Sequence, residues 1–181
     1  MSLEKLLEKR KSEILKKWYD QVVDTYPAET ALFLRKQKDA FSNPVGKTTR
    51  DSLHALLDEL LKPEMDSESV HSHLDPIVRI RAVQAMFTPS QAAGFVYFLK
   101  DIIREVLGRE LNEVERLNRL LAFERRIDDM SMAAFNIYMK CREAVFQMKA
   151  NQEKNKVYKA FLRAGLVEEI PGDEPEKPMD T

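Results

Sequence analysis

Residues 111–164 contain neither proline nor glycine, and no other feature of the sequence constrains the fold as strongly. Proline and glycine most often end or interrupt helices, so their absence favours a helix over the whole stretch. Such a helix would have about 40–50 residues, whereas the mean α-helix has about 11–12. We expect one break, near Glu124–Asp129, where several charged residues follow one another.

The middle of this stretch, from Met130 to Met148, is apolar on nearly every side of a helix. A helix that is apolar all round has to be covered on more than one side. One small domain covers one side, and a second copy of the chain can cover another. The residues that we predict to lie in a dimer or partner interface are Met130, Phe135, Tyr138, Met139, Arg142, Val145 and Phe146.

Three X-Pro pairs elsewhere in the chain predict helix starts. Asn43, Asp75 and Thr88 are good N-cap residues, and each precedes a proline, which suits the first helical position. Thr88 also has a glutamine three positions later, the spacing of a capping box. Apolar residues recur at helical spacing and no stretch alternates like a strand, which predicts an all-α fold. The predicted helices outside the long stretch cover about 2–24, 28–39, 45–61, 77–86 and 92–107, with Gly108 ending the last, and the polar segment 64–74 holds at most a short helical turn.

Composition narrows the classes of protein to which the chain can belong. It has 29 basic and 30 acidic side chains, and this balance argues against a nucleic-acid-binding protein. No stretch approaches the roughly 20 apolar residues of a membrane span, so we expect a cytoplasmic protein without membrane insertion. The single cysteine, Cys141, excludes an intramolecular disulfide, and its apolar surroundings favour a buried, unreactive thiol over a redox sensor.

The sequence contains no familiar catalytic motif. A glycine-rich phosphate loop, a nucleophile elbow, C-x-x-C and H-E-x-x-H are all missing, so we expect no enzyme, no cofactor and no metal site. His71 and His73 are two positions apart, which places them on different sides of a helix and makes a metal site unfavourable. Arg79 and Arg81 have the same spacing, so at most one of them faces a buried site. These two arginines and Gln84 are the candidate contacts for a ligand, such as an anion, or for a partner.

Three segments together resemble a known family. They are ILKKWYDQVVDTYP (14–27), FSNPVGKTTRDSLHALLDELL (41–61) and DPIVRIRAVQAMFTPSQAAGFVYFLKDIIREVL (75–107). In order and spacing they are similar to the N-terminal domain of RsbR/RsbD-type co-antagonist proteins, over about residues 4–150. The strings F-x-NPVG and RIRAVQ with the later SQA and GFV account for most of the likeness.

The resemblance implies a globin-like helical bundle without haem that dimerises through its last two long helices. It also implies a sensory role in bacterial signalling, with a regulatory protein partner that is unknown. We therefore expect a globin-like sensory domain at 1–150, a helical extension at 151–166 and a disordered acidic tail at 167–181. In larger relatives the final helix leads into a STAS domain or a histidine-kinase module. Here the acidic tail follows, so we expect no output domain and no direct role as an anti-anti-sigma co-antagonist.

Two alternatives remain open beside a homodimeric, non-catalytic sensory domain. Stand-alone relatives resemble accessory proteins of anaerobic respiratory complexes, which would make this chain an accessory or assembly protein of a redox complex. In a haem-binding globin sensor, His71 or His73 would stand near the position of the proximal ligand. The polar residues around these two histidines suit a dry haem pocket poorly.

Overall fold

The computed structural model describes residues 2–37, 39 and 41–166, and helices make up nearly all of that part of the chain. Two short 3₁₀ turns, Gly94–Val96 and Gly108–Leu111, lie on either side of the sixth helix. No strand occurs among the described residues, which confirms the predicted all-α class and its long C-terminal helix. The helices are α1 (Leu3–Asp24), α2 (Ala28–Lys36), α3 (Pro44–Leu61), α4 (Ser67–Ala82), α5 (Pro89–Ala93), α6 (Phe98–Leu107) and α7 (Val114–Arg163).

Two of the three predicted helix starts are confirmed in atomic detail. The Asn43 side-chain oxygen accepts a hydrogen bond from the Gly46 amide at 2.8 Å. A Cβ on Gly46 would come within 2.7 Å of that oxygen, so this cap requires glycine at the position. Thr88 and Gln91 form the predicted capping box, each side chain bonding the backbone of the other. Gly108 ends α6 with a φ of +42°, a conformation that favours glycine.

The predicted start at Asp75 is wrong. Helix α4 begins at Ser67, where the Asp66 side chain caps the amides of residues 68 and 69, and proline 76 lies inside the helix. A proline in a helix interior costs about 3 kcal/mol. Val70, Leu74 and Ile77 offset that cost because all three are buried at helical spacing. The segment 64–74, predicted to be mostly irregular, therefore supplies the first half of this helix.

The predicted break near Glu124–Asp129 is also wrong, because α7 runs through it without interruption. Glu124 is only 4% exposed, and Arg104 of α6 binds its two carboxylate oxygens at 2.7 and 2.6 Å. Arg126 donates to the backbone oxygens of Glu59 and Lys62 at the end of α3, at 3.2 and 2.7 Å. Both charged side chains therefore have partners outside α7, and the helix continues through this segment.

Helix α1 is central to the core, where it packs against α2, α3 and α6. Trp18 is fully buried, and its ring nitrogen donates to the backbone oxygen of Phe95 at 2.9 Å. The first unit of the chain comprises residues 1–142, and residues 143–181 form a second unit. In the described part of the second unit, helix α7 ends at Arg163 and a turn follows at Gly165, with a φ of +69°. The predicted acidic tail, 167–181, lies outside the described residues.

None of the described helices is both long enough and apolar enough to cross a bilayer.

Candidate functional site

In the first unit, α7 is apolar on two opposite sides. Its inner face packs into the core through Leu120, Phe123, Ile127, Met130, Ala134 and Ile137. A second set of large apolar side chains, the outer face, lies on the other side and is exposed. At 100° per residue the two sets are roughly opposite each other, as expected for a helix covered on both sides. We define the outer face as Val114, Leu117, Leu121, Met132, Phe135 and Met139.

Two charged residues divide the outer face into two apolar halves. Arg125 is exposed, and Asp128 is partly exposed and forms an ion pair with Lys100 of α6 at 2.5 Å. Leu117 and Leu121 lie on one side of these charges along the helix, and Phe135 and Met139 lie on the other. The pattern along the outer face is therefore apolar, basic, acidic and again apolar.

The structure separates the residues predicted to form an interface. Phe135 and Met139 are on the outer face, 43% and 49% exposed. Met130 and Tyr138 are buried in the chain's own core, so they have little surface to offer a partner. Arg142 donates to the backbone oxygen of Ala82, at the end of α4, at 3.4 Å. The predicted residues Val145 and Phe146 belong to the second unit, where Phe146 is exposed.

A second unusual feature of the first unit is the buried guanidinium of Arg81. Its side chain is 1% exposed, near the C-terminal end of α4. One of its nitrogens, Nη2, donates to the Thr25 hydroxyl at 2.6 Å and to the backbone oxygen of Gln91 at 3.0 Å. The other two, Nε and Nη1, are buried without an acceptor. Among the described residues no carboxylate lies within ion-pair distance of this guanidinium.

Aromatic rings surround the Arg81 guanidinium. Its central carbon is 4.3 Å from the centroid of the Phe87 ring, 5.3 Å from that of Tyr26 and 5.6 Å from that of Phe95. Ring faces stabilise a cation, but less than a paired carboxylate does. Burial lowers the pKa of Arg81 below its usual value, and the nearby Tyr26 hydroxyl acts in the opposite direction. Burial also raises the pKa of Tyr26.

A cavity of about 190 Å³ lies beside this cluster. Tyr26 and Gln84 line the cavity, and both are close to Arg81. The Tyr26 ring faces the guanidinium, and the backbone N–H of Gln84 donates to the backbone oxygen of Arg81 at 3.3 Å. The Gln84 side-chain oxygen, Oε1, is buried without a hydrogen-bond partner. The rest of the wall consists of Thr30, Phe33, Leu34, Asn43, Pro44 and Val45.

The other candidate residues do not converge on this cavity. Arg79 is exposed and binds Asp75 at 2.6 Å, so of the two arginines that were predicted to have at most one buried member, Arg81 is the buried one. His71 is exposed and His73 partly exposed on α4, and neither lines the cavity. Within the described ranges, no group of histidine, cysteine and acidic side chains is arranged to hold a metal ion.

The aromatic surroundings of Arg81 were not foreseen from the sequence. Tyr26, Phe87 and Phe95 come from three different parts of the chain, so only the folded structure brings them together. The available signal was the spacing of Arg79 and Arg81, which predicts one buried arginine without showing its partners.

Comparison with known proteins gives a family match. The model of the family described as the RsbT co-antagonist protein RsbRD N-terminal domain matches residues 12–152. An uncharacterised protein from Archaeoglobus fulgidus is 23% identical to this chain over 145 residues, which cover 80% of this chain and 85% of that protein. No solved structure matches the chain at a significant level.

Proposed function

The chain belongs to the RsbRD N-terminal domain family, and from that premise we propose that it is a non-catalytic regulatory domain that forms a homodimer through the outer face of α7. The family is one of regulatory signalling domains. We also infer the globin-like topology and the sensory role from membership of this family.

The observation that supports the proposal most is the apolar outer face itself. Six large apolar side chains follow one side of a single helix, and each of them is at least 43% exposed. Scattered apolar residues are normal on a surface, whereas each half of the outer face groups three of them together, as at an interaction site. Burying one such half-exposed side chain contributes about 1 kcal/mol, at roughly 25 cal/mol per Å². Two copies together would therefore gain enough to oppose the entropic cost of association.

The order of residues on the outer face favours a second copy of the chain as its occupant. Two α7 helices can pack antiparallel about a twofold axis that lies between the helices, at the level of the peptide bond that joins Arg126 to Ile127. Residues equally far from that point then face each other across the interface. Leu121 meets Met132 of the other copy, and Val114 meets Met139. A remaining pair, Leu117 and Phe135, is offset by one residue from exact symmetry.

Charge supports the same antiparallel arrangement. Arg125 and Asp128 are equally far from the axis, so the arginine of each copy faces the aspartate of the other. In a parallel arrangement each Arg125 would instead face Arg125 of the other copy, and the two like charges would repel each other. The apolar halves and the central charges therefore agree on one register.

The mass of the protein in solution tests the proposal. Sedimentation equilibrium at micromolar concentration should give about twice the chain mass of 21.0 kDa. Dilution should shift the equilibrium towards the monomer, with one dissociation constant describing all concentrations. A species of 21.0 kDa at every concentration tested would contradict the homodimer.

A further inference from the structure

A second apolar face is exposed near the end of α7, in the second unit. Val157, Tyr158 and Phe161 are each at least 43% exposed, and Lys154 is exposed beside them. These four side chains lie on one side of the helix, because they are spaced at i, i+3, i+4 and i+7. We call this side the terminal face.

The antiparallel dimer does not supply an occupant for the terminal face from the other α7. In that register Met139 already meets Val114, which is the first residue of the helix. Residues after 139 therefore have no counterpart on the other α7, and the terminal face needs a different partner.

The terminal face belongs to a basic part of the helix. Residues 149–163 carry five basic side chains and one acidic side chain, Glu153, which pairs with Lys156 at 2.6 Å. The segment at 168–180 carries six acidic side chains and one lysine. Net charges of +4 and −5 thus follow each other along the chain. A helix is about 10–12 Å across, close to the Debye length of ~8 Å at physiological salt, so these charges attract each other across the helix surface.

The backbone at the end of α7 turns the chain back towards the terminal face. Gly165 has a φ of +69°, and its N–H donates to the Leu162 oxygen at 3.1 Å. The next N–H, that of Leu166, donates to the Phe161 oxygen at 3.0 Å. These two bonds form a Schellman motif, in which the residue after the glycine commonly packs beside the residue five positions before it. The chain therefore leaves the helix beside Phe161, a member of the terminal face.

We propose that the acidic segment 168–180 binds along the terminal face of its own chain. Its carboxylates pair with Lys154, and Ile170 covers apolar surface of Val157 and Phe161. The segment is long enough, because it spans up to about 43 Å at ~3.3 Å per residue, whereas Lys154 is about 10 Å along the helix from Phe161. Since both partners belong to one chain, their effective concentration is high and weak contacts suffice.

The contact goes beyond the proposed function, because it lies within one chain and uses no residue of the outer face. The bound segment covers the terminal face until a partner with an acidic surface displaces it. A monomeric chain that forms the contact would refute the homodimer and leave this proposal intact.

Zero-length cross-linking of the full chain with a carbodiimide tests the proposal, since the reagent joins a lysine only to a carboxylate that touches it. In an equal mixture of ¹⁵N-labelled and unlabelled protein, links within one chain carry a single isotope, whereas half of the links between copies carry both. Mass spectrometry should find Lys154 linked to the segment 168–180 of the same chain at least about fivefold more often than Lys159. Lys159 is the internal control, because it is nearer to the segment in sequence but about 140° away from Lys154 around the helix. Links to Lys159 that equal or exceed those to Lys154, or links only between copies, would overturn the proposal.

Two variants test the apolar part of the contact. Phe161→Ser should remove the preference for Lys154, with the helix content checked by circular dichroism. Met148→Ser is the matched control and should keep the preference, because Met148 is similarly exposed on a different side of the same helix. About 1 M salt should reduce the preference, since it screens exposed charges.

Two further results would contradict the proposal. A preference for Lys154 that survives Phe161→Ser would show that the terminal face does not hold the segment. Binding of the wild-type chain to vesicles of phosphatidylserine and phosphatidylcholine, without links inside the chain, would assign the terminal face to a membrane surface instead.

Discussion

The inner and outer faces of α7 have similar side chains but different surroundings. Met130 and Met132 are two positions apart on one helix, yet the first is 1% exposed and the second 54%. Folding of the first unit uses the inner face, and the outer face remains available. The comparison teaches that an apolar pattern shows how many sides of a helix have to be covered, whereas the fold decides which side is left for a partner.

Charged residues of α7 follow the same division. Glu124 is buried on the inner side and its charge is matched by Arg104 of the same chain. Arg125, the next residue, is exposed. The charge of Glu124 is balanced within the chain, and under the proposed function Arg125 would take its partner from a second copy in the antiparallel dimer.

The largest expected effect comes from a charge on the inner face. Ile127→Asp places a carboxylate where the side chain is fully buried among the apolar residues of the inner face. We expect a loss of at least about 4 kcal/mol in the free energy of unfolding, a large part of the stability of a domain. Urea denaturation followed by circular dichroism measures this loss. A variant that stays as stable as the wild type would show that the inner face is not part of the core.

A charge on the outer face should leave the fold intact and break the dimer. In Phe135→Glu the new carboxylate is solvated in the monomer and buried without a partner in the dimer. The dimer dissociation constant should rise at least about 100-fold, which corresponds to roughly 3 kcal/mol. Leu32→Glu is the matched control, because Leu32 is similarly exposed and belongs to α2, which packs against α1 and α3. If Phe135→Glu sediments like the wild type, the outer face is not the interface.

Reversing the charge of Arg125 on the outer face should weaken the dimer, but less than Phe135→Glu does. Arg125→Asp brings two acidic groups together in the antiparallel dimer, and dissociation should increase by about fivefold to tenfold. Adding Asp128→Arg in the same chain should restore association at least partly, since opposite charges face each other again. Without any recovery in the double variant, the antiparallel register is wrong. The whole difference should shrink in about 1 M salt, which screens exposed charges.

The smallest expected effect concerns thiol reactivity. Burial raises the pKa of Cys141 and so reduces the reactive thiolate fraction near neutral pH. Iodoacetamide should therefore modify Cys141 several-fold more slowly than a cysteine on the outer face, introduced by Met139→Cys with Cys141→Ser. The outer thiol should also react more slowly as protein concentration rises, because the dimer covers it. Rates that do not depend on concentration would show that position 139 stays exposed.

Features determined by a few neighbouring residues were predictable from the sequence. The Asn43 cap and the Thr88 capping box depend on contacts within three positions, and both were predicted correctly. The start at Asp75 was predicted wrongly because an equally good cap, Asp66, lies upstream. Burial of Val70 and Leu74 then makes an interior proline tolerable, and burial depends on the rest of the fold.

Features determined by distant residues were not predictable. Glu124 looked like part of a charged break because its partner, Arg104, is 20 positions away on another helix. The same limit applies to the candidate sites. The apolar character of α7 was visible in the sequence, but only the structure assigns Met130 to the core and Phe135 to the surface. The pairing of Arg81 with a neighbouring cavity likewise requires helices that are far apart in sequence.

Distances between spin labels on two copies of the chain test the central claim most directly. Asp129→Cys and Lys140→Cys, each in a Cys141→Ser background, place labels on exposed residues beside the outer face. At ~1.5 Å per residue, the antiparallel dimer separates the two Lys140 positions along the helix axes by about 40 Å and the two Asp129 positions by less than about 10 Å. Double electron–electron resonance should therefore give a much longer distance for Lys140 than for Asp129. Similar short distances at both positions, or no dipolar coupling at either, would contradict the antiparallel dimer.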